Sequence, residues 1–171
     1  MALQASTFLF DEEVAIAGER LRVVGQWQYE DGKGMLVTRY HLRDRSNNLQ
    51  LFQERSGVFQ FLRSFPPSMP PLAEGNTVTA LGDRYVLGEV QKLKLFASAG
   101  QVPHEVLKSP LLLSGAFQGS NGSLLRELVP GAPTQTYYAV KYVEPTEIMN
   151  ASRLVAADQT RKRELEESRR E

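Results

Sequence analysis

Apolar and polar positions alternate along much of the chain with the two-residue period of β-strands. In the run Leu21–Tyr29 the odd positions are apolar or glycine, and the even positions, apart from Val24, are polar. Alternation of this length indicates an antiparallel strand with one buried face. Turn-forming residues at Glu30–Gly34 end the run, and similar turns follow, so the first part predicts a four-stranded meander. After the first strand its members are Met35–Arg43, Leu49–Glu54 and Val58–Phe65.

A second group of strands follows a proline-rich segment. Four of the nine prolines lie between residues 66 and 71. Because proline removes a ladder donor, this segment predicts a linker or a stiff crossover. Further on, glycine-rich Gly115–Gly122 predicts an exposed loop. The strands predicted here are Thr77–Leu81, Arg84–Ala97 with a bend at Gly88, about Gln101–Leu107, Leu124–Val129 and Thr134–Val143.

A short pattern occurs once at the start of each group of strands. The segment 14–20, Val-x-x-x-Gly-Glu-Arg, returns at 78–84 as Val-x-x-x-Gly-Asp-Arg. This repetition predicts an internal duplication. We therefore expect an all-β protein of two similar antiparallel β-units, as small barrels or a sandwich, with a charged C-terminal helix. The predicted divisions are a first β-unit (1–65), a proline-rich linker (66–73), a second β-unit (74–149) and a tail (150–171).

The tail loses the strand pattern and becomes charged. From Asp158 onward, ten of the fourteen residues are charged. Pairs such as Asp158/Lys162 and Lys162/Glu166 lie at the i,i+4 spacing that supports a solvated helix. Leu165 is the one apolar residue of this run, so the helix lacks a continuous hydrophobic face. A solvated helix or a disordered tail is expected, with a partner-binding or coiled-coil extension as the alternative.

Composition limits the classes of function. Twenty basic residues cancel twenty acidic ones, which argues against duplex nucleic acid as the main partner. The absence of cysteine excludes disulfides, thiolate nucleophiles and cysteine metal sites. The N-terminal stretch lacks the basic start of a secretory signal, and no apolar run approaches the roughly 20 residues of a membrane span. We expect a cytoplasmic protein, or one peripheral to a membrane, with no transmembrane segment.

The linear sequence contains no catalytic constellation. His41 and His104 have no further ligand at a metal-binding spacing, and arginines on either side of His41 place it on a solvent face. No Gly-x-Ser-x-Gly elbow is present. Glu54 stands in an aromatic setting, but a surface glutamate is its simpler interpretation. The prediction is a protein without enzymatic activity, cofactor or metal.

Aromatic residues on the predicted strands form the candidate surface for a ligand or partner. Core packing is their simplest role. In a small barrel, several of them would line a ligand cavity. On a face like that of an OB-fold, aromatic side chains would instead stack the bases of a single strand, with charge from Lys92, Lys94, Arg39 and Arg43. The residues selected are Trp27, Tyr29, Tyr40, Phe59 and Tyr138.

Five short motifs are spread over much of the chain, from roughly Val14 to Met149. They are Arg22–Gly25, Tyr40-x-Leu42, Leu51-x-x-Glu54-x-x-Gly57-x-Phe59, Gly82-x-x-Tyr85 and Gly100–Pro103. With these motifs the chain resembles an uncharacterised bacterial β-domain family. Members are often encoded beside PspA-like phage-shock and band-7 membrane-remodelling proteins. The resemblance therefore implies a non-enzymatic accessory domain, and it assigns no catalytic residue.

Two functions follow as expectations. The first is a protein-interaction or assembly module without enzymatic activity, an accessory of a bacterial membrane-stress system. Its partner would be another protein, with a membrane-associated assembly as one candidate. The alternative is a small β-barrel that binds a small hydrophobic ligand, a lipid or single-stranded nucleic acid.

Overall fold

The structure is a computed structural model, and it describes residues 3, 6–66, 68–132 and 135–170, with 151–158 and 170 as backbone alone. Strands dominate this part of the chain, which confirms the predicted all-β class. The strands are β1 (Glu13–Ile16), β2 (Glu19–Asp31), β3 (Leu36–Arg43), β4 (Leu49–Arg55), β5 (Val58–Ser64), β6 (Leu72–Glu74), β7 (Thr77–Ala80), β8 (Asp83–Gly100), β9 (Leu111–Gln118), β10 (Ser123–Leu128), β11 (Gln135–Val143) and β12 (Ile148–Met149). The helices are α1 (His104–Lys108) and α2 (Ala151–Arg170), and a 3₁₀ turn covers Pro145–Glu147.

Eight of the strands close into one antiparallel barrel. Their order around the barrel is β2-β3-β4-β5-β11-β10-β9-β8, and β8 pairs back onto β2. Each half of the chain supplies one four-stranded meander, β2–β5 or β8–β11. The meanders join along two seams, β5–β11 and β2–β8. Of the architectures left open by the sequence, the structure has a barrel, and the two halves build it together.

The two copies of the repeated pattern lie at equivalent turns. The β1–β2 turn is Ala17-Gly18 and the β7–β8 turn is Leu81-Gly82, and all four residues have positive φ, between 51° and 83°. Positive φ at both central residues defines the type I′ turn, whose twist suits a two-residue hairpin. Each copy therefore leads into the first long strand of its meander. The duplication itself stays a prediction.

Two hydrophobic clusters cover the outside of the barrel wall. The N-terminal segment and β1 lie over β2–β5, where the ring of Phe8 packs 5.1 Å from that of Tyr40 and 5.8 Å from that of Phe52. On the opposite meander, β7 covers a second cluster. The first cluster contains Phe8, Val14, Ile16, Leu21, Val23, Tyr40, Leu42, Phe52, Phe59, Phe61, Val143 and Ile148, and the second contains Val78, Ala80, Tyr85, Phe117 and Leu124.

Both faces of the middle of β2 are buried, so the prediction of a half-buried strand was wrong there. Gln26 and Gln28 point to the outside but are covered. Gln26 donates a hydrogen bond to the Ser6 hydroxyl at 2.7 Å, and Gln28 donates one to the Thr38 hydroxyl at 3.2 Å. Ser6 of the N-terminal segment covers Gln26, and no local pattern in β2 indicates that contact.

Two local predictions in the second half were also wrong. The expected strand at Gln101–Leu107 is a loop followed by α1, and Pro103 stands immediately before that helix. The expected loop begins too early, because 115–118 belong to β9 and only 119–122 form the turn. The bend at Gly88 is confirmed, since the β8–β9 register shifts between Leu87 and Glu89.

The predicted linker contains a short strand, and the predicted tail is a helix. Leu72 and Ala73 of the 66–73 segment form part of β6, while residue 67 lies outside the described residues. The charged tail forms α2, and its side chains from 159 to 169 are exposed, with Leu165 at 56%. Within the described ranges, no helix is both long and apolar enough to cross a membrane.

Candidate functional site

A buried ion pair crosses the interior of the barrel. Arg39 on β3 and Glu127 on β10 are separated by three strands around the wall. The two Nη atoms of Arg39 nevertheless donate to the two carboxylate oxygens of Glu127 at 2.5 Å, and the residues are 3% and 6% exposed. Arg39 Nε also donates to Gln53 at 2.8 Å, and Gln53 donates to Gln60 at 2.9 Å. These four side chains form a polar layer that divides the lumen into two cavities.

The ion pair places a positive and a negative charge side by side in the lumen, so its net charge is zero. Burial alone would lower the pKa of Arg39, but the charge and hydrogen bonds of Glu127 outweigh it, and the pKa is raised. The guanidinium therefore stays protonated. In a buried pair, desolvation offsets most of the Coulomb attraction, so its net stabilisation is small, whereas loss of one partner is strongly destabilising.

The larger cavity, here the helix-side cavity, lies between the polar layer and α1. Its volume is about 770 Å³, within the range of about 300–1,000 Å³ that is typical of small-molecule sites. Exposed Glu105 and Lys108 of α1 stand at its rim. Its apolar wall consists of Leu51, Pro103, Val106, Leu111, Leu112, Val129 and Pro130.

One tryptophan and two tyrosines line the helix-side cavity. They are Trp27, Tyr29 and Tyr138. Among the described residues, the buried indole N–H of Trp27 has no hydrogen-bond partner. The indole lies near the Tyr29 hydroxyl without reaching hydrogen-bond geometry, and it opposes in part the rise in the pKa of Tyr29. Burial is the main cause that raises the pKa of Tyr29 and of Tyr138, so both hydroxyls keep their protons at neutral pH.

His41 also lines this cavity, which corrects the expectation that it faces solvent. Its ring meets the Trp27 ring edge-on, with 5.0 Å between centroids. Burial lowers the pKa of His41, and a hydrogen bond with the Gln101 backbone opposes that shift in part. The neighbouring arginines were misleading, because Arg39 points inward to Glu127 rather than to water.

The structure separates the five aromatic residues chosen from the sequence. Trp27, Tyr29 and Tyr138 meet at the helix-side cavity. Tyr40 and Phe59 lie instead in the first outer cluster. Because strand neighbours point to opposite faces, Tyr40 next to inward Arg39 must point outward.

Glu54 has a structural position on the outside of the barrel. It accepts hydrogen bonds from the Thr7 backbone N–H at 3.0 Å, from the Thr7 hydroxyl at 2.6 Å and from the Tyr40 hydroxyl. These three bonds fasten the N-terminal segment to β3 and β4. The Glu54 side chain is half-buried on the outer surface of the barrel, with these bonds in place of full solvation, and the carboxylate does not reach the lumen.

The smaller cavity, here the turn-side cavity, lies on the other side of the polar layer, near the β4–β5 turn. Its volume is about 430 Å³. Polar side chains that line it are paired with one another. Arg55 donates to Gln91 at 2.6 Å and to Asp31 at 3.3 Å, and Gln91 donates to Glu89 at 3.3 Å. These pairings leave fewer groups for a ligand than the helix-side cavity offers.

Sequence reasoning missed the lumen residues Arg39, Glu127 and Gln53 as a group. The one available signal was a charged residue in the middle of a strand, at a position whose neighbours two residues away are Val37 and His41. The partner of that charge depends on the pairing of four further strands. No group of three His, Asp or Glu side chains in the described part of the chain is arranged to hold a metal ion.

Comparisons with protein-family models, with curated proteins and with solved structures find no match to this chain. The resemblance to the family encoded beside PspA-like and band-7 proteins thus stays a prediction.

Proposed function

We propose that the protein is a binding protein that holds a small, largely apolar molecule in its helix-side cavity. The observation that carries this proposal is the cavity itself. It has a volume of about 770 Å³, apolar walls, and a lining tryptophan whose buried indole N–H lacks a protein partner among the described residues. This function is the second of the two expected from the sequence.

The cavity wall favours an apolar ligand. Burying about 200 Å² of apolar ligand surface contributes about 5 kcal/mol before the entropic costs of association. The Arg39–Glu127 pair at the floor leaves no net charge there, so an uncharged ligand is not opposed by an unpaired ion. The fold supports the same use, because eight-stranded barrels are wide enough to hold one small ligand.

Trp27 provides a direct test, because it is the sole tryptophan of the chain and lines the cavity. Titration with the neutral probe N-phenylnaphthylamine should quench Trp27 emission saturably, with one probe bound per chain. Native mass spectrometry of protein purified from its natural source should show a co-purifying small molecule. Absence of both signals contradicts the proposal.

Two neighbouring residues of α1 supply a matched pair of variants. Val106 is half-buried and lines the cavity, whereas Leu107 is 54% exposed and does not. Val106→Glu should weaken probe binding at least tenfold, because a carboxylate cannot be left unpaired beside an apolar ligand. Leu107→Glu introduces the same charge on the same helix and should leave binding unchanged. If the two variants weaken probe binding equally, the probe binds outside the helix-side cavity.

The second candidate function is the protein-interaction module, and α2 is the feature that favours it. The described side chains at 159–169 are exposed and mostly charged, with both signs represented. Such a helix suits a protein partner of complementary charge, including a membrane-associated one as the family resemblance implies. Pull-down from native lysate with the full chain and with a chain ending at 158 tests this function. A protein that is monomeric and captures nothing in a tail-dependent manner contradicts it.

A further inference from the structure

The floor of the helix-side cavity carries hydrogen-bond donors that the protein does not use. Trp27 Nε1 is buried and without a partner in the described part of the chain. Apart from the weak interaction between the Trp27 indole and the Tyr29 hydroxyl, no hydrogen bond in the described part of the chain involves the hydroxyl of Tyr29 or of Tyr138. Tyr29 is 3% exposed. Buried polar groups such as the Trp27 N–H are nearly always paired. The two hydroxyls belong to residues that line the cavity, so an acceptor on a bound ligand can reach them.

These donors lie within one patch. Trp27 and Tyr29 occupy consecutive inward positions of β2, and the indole lies beside the Tyr29 hydroxyl. The Tyr29 ring packs under Arg39, with 5.6 Å from the guanidinium carbon to the ring centroid. Tyr138 interacts electrostatically with Tyr29, Arg39 and Glu127. An acceptor that binds the Tyr29 hydroxyl would also make its oxygen a better acceptor for the Trp27 N–H.

The charges around the patch favour a neutral ligand. A carboxylate would compete with Glu127 for Arg39, and an ammonium would compete with Arg39 for Glu127. Either ion would have to lose its hydration in an apolar cavity without gaining a dedicated partner. At the rim, Glu105 and Lys108 carry opposite charges and give no preference for one sign.

The shape of the lining favours flat rings. Trp27, Tyr29, Tyr138 and the His41 ring supply aromatic faces and edges, and two prolines add rigid walls. Aromatic rings stack on one another or meet edge-to-face, and both arrangements suit a planar ligand.

We infer that the ligand of the helix-side cavity is a flat ring system with an uncharged carbonyl oxygen, which accepts hydrogen bonds from the hydroxyls of Tyr29 and Tyr138. This inference rests on the proposed function and adds the chemical class of the ligand. In this arrangement the Trp27 N–H interacts with the Tyr29 hydroxyl, and the apolar wall of the cavity encloses the rings of the ligand.

Three naphthalenes with different substituents at the same ring position test the inference. The acetyl compound carries a ketone, the ethyl compound carries no acceptor, and the carboxyl compound carries a charge at neutral pH. Displacement of N-phenylnaphthylamine and isothermal titration calorimetry give their affinities. The acetyl compound should bind at least tenfold more tightly than the carboxyl compound.

Tyrosine-to-phenylalanine variants separate hydrogen bonding from hydrophobic contact. Tyr29→Phe and Tyr138→Phe should each weaken binding of the acetyl compound about fivefold and leave binding of the ethyl compound unchanged, because one neutral hydrogen bond is worth about three- to tenfold. Tyr142→Phe is the matched control, since Tyr142 lines the turn-side cavity, and it should change neither affinity.

The outcomes distinguish the two proposals. If none of the three compounds and no neutral probe binds, the proposed function fails, and the inference fails with it. If the ethyl compound binds and the two tyrosine variants affect it as much as the acetyl compound, binding stands and the carbonyl assignment is wrong. Tighter binding of the carboxyl compound than of the acetyl compound would also overturn the assignment.

Discussion

Arg39 and Glu127 meet across the barrel interior although 88 residues separate them in sequence. One stands on the first meander and the other on the second, so the pair joins the two halves of the wall through the lumen. The two seams join the same halves along the wall. The width of the lumen at this level therefore depends on a pair of charges.

Loss of the Glu127 charge should destabilise the barrel strongly. Glu127→Gln leaves the Arg39 guanidinium buried and without its counter-ion, and we expect the free energy of unfolding to fall by about 3–5 kcal/mol. Urea denaturation followed by circular dichroism measures the change.

A half-exposed ion pair and a double replacement serve as controls. Glu13 pairs with Arg20 at 3.0 Å, with side chains that are 42% and 33% exposed, and Glu13→Gln should cost less than about 1 kcal/mol. Joint replacement by Arg39→Met and Glu127→Leu should recover most of the loss, because no charge is then buried alone. If Glu127→Gln costs no more than Glu13→Gln, the cross-lumen pair is not structural.

The β2–β8 seam should not tolerate a side chain at Gly25. A Cβ atom there would overlap the backbone carbonyl oxygen of Gln101, and backbone on both sides is fixed by the bond from Gln101 N–H to the Val24 carbonyl at 2.7 Å. Gly25→Ala should lower the free energy of unfolding by about 3 kcal/mol. Gly32 has open space around its Cβ position, so Gly32→Ala should lie within about 0.5 kcal/mol of wild type. Similar values for the two variants in chemical denaturation contradict the close packing of this seam.

Stability should depend on pH through His41. Its folded-state pKa is lowered by burial, so the unfolded chain takes up a proton first as the pH falls. The stabilisation is complete above the unfolded pKa of about 6.5 and is lost progressively as the pH falls toward the folded-state pKa. Denaturation between about pH 7.5 and about pH 5 should therefore show stability rising with pH.

Replacing each histidine in turn shows which one causes the dependence of stability on pH. His41→Gln should flatten it, and His104→Gln, on the exposed surface of α1, is the matched control variant. A His41→Gln variant with the wild-type slope means that another group titrates. The imidazole resonances in NMR give an independent reading of the pKa of His41.

Two truncations should separate the tail from the barrel. A chain ending at 158 loses exposed residues and should keep the wild-type free energy of unfolding within about 0.5 kcal/mol. A chain ending at 147 also loses β12, whose Ile148 is buried in the first outer cluster, and should be about 2 kcal/mol or more less stable. Thermal unfolding measures both, and equal stability of the two truncated chains contradicts the packing of Ile148.

The sequence predicts the meanders well because their signals are local. Alternation and turn residues lie within each strand or beside it, and the bend at Gly88 has its own glycine. Burial of the outer face of β2 has no such signal, since Ser6 and Phe8 cover it from a distant part of the chain. The helix α1 is five residues long, too short to show a helical period.

The candidate site was predicted in part for the same reason. Trp27 and Tyr29 could be selected as aromatic residues of one strand face. Whether that face lines a lumen or an outer cluster depends on how the sheet closes. Tyr40 lies on the neighbouring strand. It differs from Trp27 and Tyr29 only in which face of the sheet its position places it on, and that depends on the register between the two strands. The inward direction of Arg39 depends on Glu127, which no spacing in the sequence connects to it.

The two seams also bear on how the chain reaches this fold. Within each meander the paired strands are close in sequence, but β5–β11 joins residues such as Leu62 and Val140, and β2–β8 joins Trp27 and Ser98. Contacts between distant residues form late, because closing a long loop has an entropic cost that only later contacts offset. Each meander alone has two open edges and an uncovered lumen face. We therefore expect the encounter of the two halves to limit the folding rate, as the association of two subunits would. The proline-rich segment makes that encounter intramolecular.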